Sequence, residues 1–453
     1  MDLRLLFKVL QDMRRLRLHE KWTRDDLETF QREELSHLRE WACARSPFYR
    51  DFHRGLSNAP LRELPILTKS MMMEHFDAIV TDRRVQLPDV RAHLAAGGRG
   101  RFRKGYEVVT TSGSTGTPGI FLFDPREWTT IIASFARARE WAGLRLRLTG
   151  RSRMAVVSST NERNLSARVG RVADTPFLPT LRLDATEPLA DIVAALNRWQ
   201  PEVLVAYASM ANVLAGEQAI GRLTIHPRAV FASSEVLTAQ MRQRLTEAWG
   251  EVVFDEYAST ETASIAAEDT AHHGMHVFED LLIVENVDAG NQPVPPGTFG
   301  EKILVSVLFS RTQPLIRYEI SDNVRFAATE PGCHLPFRTI DGVQGRSEDI
   351  LLLPGESNQV VRVHPNVFHD AMDLVPSDGW QVVQEPDGLR ILVVPGVEPL
   401  DDLRVRDLIL AALGSQGVLP LSVRVERVSS IPKAPSGKTP LIKGLFPPPH
   451  PNG

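Results

Sequence analysis

Five short stretches gather residue types that do chemistry on phosphates and carboxylates. The first, VVTTSGSTGTPG at 108–119, sets Thr110, Thr111, Ser112, Gly113, Ser114, Thr115, Gly116 and Thr117 behind two apolar residues. Backbone N–H groups bared by glycine, together with Ser and Thr hydroxyls, can wrap phosphate oxygens. A P-loop would carry Gly-Lys-Ser/Thr here, and this loop has no lysine, so its cation has to come from elsewhere in the chain. The second, EYASTET, offers an aromatic face at Tyr257, hydroxyls at Ser259 and Thr260, and a carboxylate at Glu261. One carboxylate beside substrate phosphates suits Mg²⁺; a helix start capped by Ser259 or Thr260 is the ordinary alternative. The third and fourth are RYEISD, with Asp322, and GRSEDIL, with Arg346 and Asp349. An aspartate after a strand can accept both ribose hydroxyls and an arginine can reinforce that grip, although singly each also reads as a surface salt bridge. The fifth, PKAPSGKTPLIK, seats Lys438 in a Pro/Ser/Gly turn that could carry a cation into a site; the alternative is a solvated basic tail. Only 8 of the 52 basic residues are lysine, and Lys433, Lys438 and Lys443 crowd this end of the chain.

These stretches need elements that bring them to one place. From 107 to about 270, strand-like runs (YEVVTT, RMAVVSS, VLVAYA, AVFASSE, EVVFDEYA) alternate with helix-like runs at 127–142, 189–199 and 238–249. The alternation predicts an α/β fold: a mostly parallel sheet with flanking helices. Ligands of such sheets collect at the carboxyl ends of the strands, and TSGSTG, SSE and STE directly follow three of them. From about 275 to 345 Pro/Gly turns separate β-type runs, which predicts antiparallel strands or a distorted barrel. After GVQGRSEDILLLPGE comes a small α+β unit with a helix near 400–414. Residues 1–50 have helical spacing, 88–106 read as a Gly- and Arg-rich loop, Met71–Met73 read as core filler, and the tail FPPPHPNG reads as disordered.

Composition narrows the function by exclusion. At 453 residues the chain suits two or three domains. A hydrophobic share of 43%, a charged share of 24% and a net charge of −4 give no reason to expect nucleic acid or an anionic membrane as partner. Two cysteines, Cys43 and Cys333, cannot make a disulfide framework and suit a reducing cytoplasm. No apolar run approaches the roughly 20 residues of a membrane span. Asp2, Arg4 and Lys8 interrupt the opening MDLRLLFKVLQDMRRLRLHE, which predicts an amphipathic helix rather than a signal peptide; a surface-bound membrane helix is the alternative. No G-x-S-x-G elbow is present for a hydrolase triad. GGRG at 97–100 lacks both the G-x-G-x-x-G spacing and the following helix of a dinucleotide fold.

The order of the five stretches resembles that of the adenylate-forming superfamily: acyl- and aryl-coenzyme A ligases, peptide-synthetase adenylation domains and luciferases. SPFYRDF, LPILTK, FASSEVLT, GMHVFEDLLIVE, PLIRYEISD and WQVVQ further resemble the phenylacetate–coenzyme A ligase branch and its capsule-locus relatives, over residues 20 to 443. The resemblance implies a large N-terminal adenylation domain over 1–346, with a β-rich subdomain, and a small mobile lid over 347–445 hinged at Asp349, with 446–453 as a tail. It implies ATP-dependent activation of a carboxylic acid, aromatic or arylacetic, to acyl-AMP with release of pyrophosphate, then transfer to a thiol, coenzyme A. Thr111, Ser112, Gly113, Ser114, Thr115 and Gly116 would hold the β- and γ-phosphates. Tyr257 would lie against adenine, with Ser233, Ser234 and Glu235 lining the adenine and acyl pocket and Tyr207, Ala208 and Ser209 beside the acid. Thr260 and Glu261 would serve phosphate and Mg²⁺, Asp322 helped by Arg346 would bind ribose, and Lys438 would reach the substrate carboxylate and α-phosphate. The missing loop lysine is then supplied by Lys438.

Departures from the family pattern bear on two points. Ala258 and Ser321 stand where glycines are usual. Some relatives carry a cysteine-rich metal cluster, of which Asp269, His272, His273, His276, Cys333 and His334 remain here; structural zinc wants four good ligands, so they read against zinc and as ordinary surface histidines. A carrier protein or an amine could replace coenzyme A as acceptor, and a binding protein that kept the fold without the chemistry is the rival class. The expected setting is a cytoplasmic monomer or homodimer with no nucleic acid or membrane partner.

Overall fold

The computed structural model describes residues 3–111, 118–144, 151–329, 332–346, 350–356, 359–363, 365–372, 374–396, 399–434 and 438–445. Two long helices come first, α1 (Leu3–His19) and α2 (Arg24–Arg45). Between them the Thr23 hydroxyl accepts from the Asp26 N–H and the Asp26 carboxylate accepts from the Thr23 N–H, a capping box that sets where α2 begins. Four short helices follow: α3 (Pro47–Phe52), α4 (Lys69–Glu74), α5 (Phe76–Ile79) and α6 (Leu87–Ala95). They deliver Tyr49, Met72, Met73 and Phe76 to the first apolar cluster. Helix α6 corrects the reading of 88–106 as loop throughout: Pro88 suits a first helical turn, and Val90 and Leu94 are buried.

Next comes a hairpin, β1 (Glu107–Thr110) and β2 (Ile120–Phe123), then α7 (Pro125–Trp141), which is capped by Asp124 and Glu127. The run YEVVTT, expected in the parallel sheet, pairs only with β2 and runs antiparallel to it. Its apolarity comes from a hairpin sunk into the core, with Val108, Val109, Phe121 and Leu122 all buried.

The predicted alternation then unfolds as β3 (Met154–Ser158), α8 (Leu165–Ala173), β4 (Thr180–Asp184), α9 (Leu189–Trp199), β5 (Val203–Tyr207), α10 (Ala208–Ala219), β6 (Ala229–Ser233), α11 (Ala239–Trp249) and β7 (Val253–Ser259). Strands β4, β3, β5, β6 and β7 lie side by side in parallel. The sheet continues antiparallel through β8 (Ala263–Glu268), β9 (Met275–Val277), β14 (Thr339–Arg346) and β13 (Asp322–Phe326), nine strands in all. Strands β10 (Leu282–Val287), β11 (Lys302–Val307) and β12 (Tyr318–Ile320) form a separate antiparallel sheet, as the β-rich pattern predicts. Edge strand β4 went unforeseen because TLRLD is half-buried and lacks an apolar run.

Alternate residues of β3 serve opposite faces. Ala155 and Val157 join Ile192, Leu214 and Leu245 under α9, α10 and α11. Met154 and Val156 join Phe231 and Phe254 on the opposite face, which Arg139 of α7 reaches over the Phe231 ring.

The last elements are β15 (Leu351–Pro354), β16 (Val360–Val363), α12 (Pro365–Met372), β17 (Ser377–Glu385), β18 (Gly388–Pro395), α13 (Asp402–Ser415), β19 (Ser422–Arg427) and β20 (Ile442–Lys443). Four of these strands make a sheet ordered β19-β18-β17-β20. Leu353, Phe368, Trp380, Ile391 and Ile409 form a core of their own around it. The whole is a mixed α/β architecture with one large sheet and a smaller α+β body. Among the described residues no helix is long and apolar enough to cross a membrane. Residues 446–453 lie outside the described residues.

Candidate active site

Parallel strands end on the same edge, so β3, β5, β6 and β7 bring their carboxyl ends together. The register sets Tyr207 beside Ser233 and Ser233 beside Glu256, a row one strand spacing apart at each step. After β6 the chain turns sharply: Ser234 has φ +65°, a left-handed conformation uncommon for a serine. The turn leads Glu235 under the start of α10, where its Oε2 accepts from the Ser209 N–H at 2.9 Å. Its Oε1 accepts from the Thr439 N–H at 2.7 Å, across from the smaller body. Burial pushes the Glu235 carboxyl upward, and the Ser209 and Thr439 donors and nearby Lys438 oppose the shift.

Lys438 therefore reaches the strand ends. Its Nζ lies 5.7 Å from the centroid of the Tyr207 ring, a cation–π distance. The Tyr207 hydroxyl accepts from the Ser159 N–H at 3.0 Å, and burial pushes that phenol up to about 12. The lysine loop is held at both ends. Lys433 Nζ donates to the Ala185 carbonyl at 2.6 Å, and burial lowers its pKa against the pull of Asp184 and Glu235. Ala434 N–H closes the turn on the Lys438 carbonyl at 2.8 Å. Away from the loop, Asn212 donates to the Asp378 carbonyl at 2.8 Å, Gln240 to the Val375 carbonyl at 3.0 Å, and Arg244 pairs with Asp378 at 2.8 Å. The basic-tail alternative for Lys438 is set aside by this docking.

The remaining candidates come to the same edge. Tyr257 donates its hydroxyl to Asp322 Oδ2 at 2.7 Å, so two residues 65 positions apart form one unit. Strand pairing sets Arg346 opposite Asp322; the Arg346 side chain and Asp349 lie outside the described residues. Thr260 and Glu261 sit in the tight turn between β7 and β8, closed by a 3.0 Å contact between the Ser259 and Thr262 hydroxyls. That turn excludes the helix-cap alternative. Residues 112–117 lie outside the described residues, but their neck is defined. Thr111 N–H donates to the Gly119 carbonyl at 3.0 Å, and Gly119 N–H returns to the Thr111 hydroxyl at 2.8 Å. A Cβ on Gly119 would lie 2.9 Å from the Phe121 ring, so only glycine fits there.

A single cavity of about 1580 Å³ is lined by Thr111, Tyr207, Ser209, Ser233, Ser234 and Glu235 and equally by Tyr257, Thr260, Glu261, Asp322 and Lys438. Ala208, expected beside them, is the first residue of α10, is wholly buried with Ala232 and Met241, and does not line it. The sequence reading missed several of its groups. Arg139 of α7 pairs with buried Glu256 at 3.0 Å and stacks 4.7 Å from the Phe231 ring, and no motif or spacing marks it. Lys433, which tethers the lysine loop without lining the cavity, stands out in the sequence only as part of a lysine cluster. Asp255, next to Glu256, is pushed up to about 7 by burial and by the Glu268 carboxylate, with Arg242 opposing.

The remnant metal residues divide. Asp269, His276 and Cys333 offer ligand atoms within 4.8 Å of one another, whereas no fourth ligand joins them among the described residues. His276 is buried, contrary to its reading as a surface histidine.

No protein-family model matches the chain. Protein CapK of Staphylococcus aureus is 23% identical over 319 residues, covering 66% of this chain and 63% of that protein. The match thus spans less than two thirds of CapK's length. Phenylacetate-coenzyme A ligase of Thermus thermophilus is 21% identical over 388 residues, 81% of this chain and 80% of that protein. Among solved structures, 2-hydroxyisobutyryl-CoA ligase in the postadenylation state with 2-HIB-AMP matches at a TM-score of 0.72 and 19% identity, over 92% of this chain and 90% of that one. The same enzyme with 2-HIB-AMP and CoA in its thioesterification state matches at 0.60 and 18% identity, over 94% and 91%.

Proposed function

We propose that this chain, kin in sequence and in fold to the adenylate-forming ligases, joins a carboxylic acid to the α-phosphate of ATP and passes the resulting acyl group to a thiol. A carboxylate oxygen attacks the α-phosphorus, the bond to the β-phosphate oxygen breaks, and acyl-AMP and pyrophosphate form. A thiol sulfur then attacks the acyl carbon, loses its proton and expels AMP. Coenzyme A is the acceptor that the coenzyme A ligase relatives favour, and an aromatic or arylacetic acid is the class favoured by the phenylacetate ligase relative.

The observation that carries the reading is Lys438 docked in the cavity at the strand ends, over Tyr207 and tethered through Thr439 to Glu235. A carboxylate and a phosphate repel each other, and a fixed ammonium beside both offsets that repulsion where charge develops. Tyr257 and Asp322, joined by their hydrogen bond, suit adenine and ribose, with Arg346 opposite. Residues Thr111–Gly116 suit the β- and γ-phosphates. The hydroxyl of Thr260 and the carboxylate of Glu261 are hard oxygen donors facing the cavity, the set Mg²⁺ takes beside phosphate. When bound, the ion would supply charge neutralisation on the phosphates. The better match to a postadenylation structure than to a thioesterification structure agrees with a lid docked for the first step. In this reading 1–346 is the body, 347–445 the lid, and Asp349 the hinge.

Pyrophosphate exchange into ATP across a panel of acids tests the first step without knowledge of the acceptor. Lys438→Ala should lower exchange at least about 100-fold. Exchange at wild-type rate in that variant, or none with any acid for the native protein, rejects the proposal.

A further inference from the structure

We propose that α1 is the far wall of the acid site and that the acid carries an extended apolar tail, an inference that rests on reading the cavity as the adenylation site. The cavity holding Lys438 runs on, between the sheet and three helices, far beyond the strand ends. Helix α7 lines it with Ile132, Phe135, Ala136 and Arg139, the i, i+3, i+4, i+7 spacing of one helix stripe. Helix α8 lines it with Leu165, Val169 and Val172. Helix α1 repeats the full stripe with Leu6, Val9, Leu10 and Met13. A stripe of that length runs roughly 10 Å along each helix.

The slot has a polar end and an apolar end. Arg139 and Glu256 pair at 3.0 Å next to Tyr257, at the reaction end. One and two turns back along α7, Phe135 and Ile132 carry the wall toward α1, where Ile132 packs with Val9 and Met13. The floor is apolar too, from Met154 and Val156 of β3. Leu10 is 41% exposed and Phe177 is 48% exposed, and both apolar side chains line the cavity. The volume of about 1580 Å³ exceeds the roughly 300–1,000 Å³ that encloses a drug-sized ligand, so a nucleotide and a single small ring leave room over.

Helix α1 is fixed in place as a wall. Nη1 and Nη2 of Arg137 each donate to the Asp280 carboxylate at 2.8 Å, and His19, at the end of α1, shares that carboxylate at 2.8 Å. Trp141 donates to Glu20 at 2.9 Å, and Arg17 pairs with Glu140. The amphipathic opening helix thus spends its apolar face on the slot and on α7.

Two readouts test this. Pyrophosphate exchange is measured with straight-chain acids from acetate to dodecanoate and with phenylacetate. Binding is measured separately by displacement of the fluorescent polyene cis-parinaric acid, without ATP. Apparent affinity should rise two- to fourfold for each added methylene up to decanoate. Leu10→Asp and Phe177→Asp, both at exposed positions outside the core, should each cut the decanoate-to-hexanoate preference at least tenfold. A flat series, or a preference unmoved in both variants, overturns the inference. Exchange confined to short acids with no parinarate displacement overturns it as well and leaves the adenylation reading standing. Displacement that grows with chain length, without exchange for any acid, upholds the apolar slot and rejects adenylation.

Discussion

Single side chains carried most of what could be read ahead of the structure, because their types are unusual together. Tyr257, Asp322, Glu235 and Lys438 stand in separate stretches, and folding brings them to one cavity. What the stretches could not convey is how these residues are paired. The 2.7 Å bond between Tyr257 and Asp322 links a residue read for its ring to one read for its carboxylate. Partners 65 positions apart leave no spacing to read. The bond gives a graded expectation. Tyr257→Phe should raise the ATP KM about fivefold, the worth of one hydrogen bond that orients the carboxylate. Asp322→Ala should raise it tenfold or more. KM values within twofold of wild type in both, measured by exchange at varied ATP, would remove the ribose role. Arg139 and Glu256 were illegible for the same reason, since an ion pair between a helix and a strand has no local signature.

Elements were legible where periodicity and burial agree. Helices α7, α9 and α11 and strands β3, β5, β6 and β7 fall where the pattern sets them. The errors lie where burial departs from the usual rule. Hairpin β1–β2 is apolar without belonging to the sheet, and β4 is sheet without being apolar. Strand β7 has a further irregularity, an aspartate whose carboxyl is pushed well above the ordinary carboxylate range. Burial and Glu268 push Asp255 up to about 7, whereas in an unfolded chain it would titrate near 4. The folded state therefore keeps a proton that the unfolded state releases. Its contribution to stability is complete below about pH 4 and is lost as pH climbs through 7. Asp255→Asn fixes the neutral form. The Tm of the variant relative to the native protein should rise from pH 5 to pH 8 by at least about 2 °C, and a flat difference would count against the buried-proton account.

At the scale of the whole molecule, the sequence does not say how the large sheet and the smaller α+β body meet. No pattern marks a contact between Asn212 and Asp378 or between Lys433 and Ala185, since each depends on how two separately folded cores dock. The docking holds the lysine loop at two points, one on each side of Lys438. Lys433→Met removes the first point and leaves the Lys438 ammonium, proposed to be catalytic, in the chain. Exchange should fall about tenfold, the order expected for losing a hydrogen bond from a charged donor. An unchanged rate would mean that the Ala185 tether does not help to place Lys438.

The other tether is the carboxylate of Glu235, which takes one amide from each side of the cleft. Undocking strips it of the Thr439 donor, and an acid that was deeply buried must find a replacement. Water is the replacement at hand, and it arrives within the space where a mixed anhydride would be resting. In the proposed two-step reaction, a parting of the two bodies that would admit a thiol would admit its most abundant competitor as well, so hydrolysis without acceptor would accompany it.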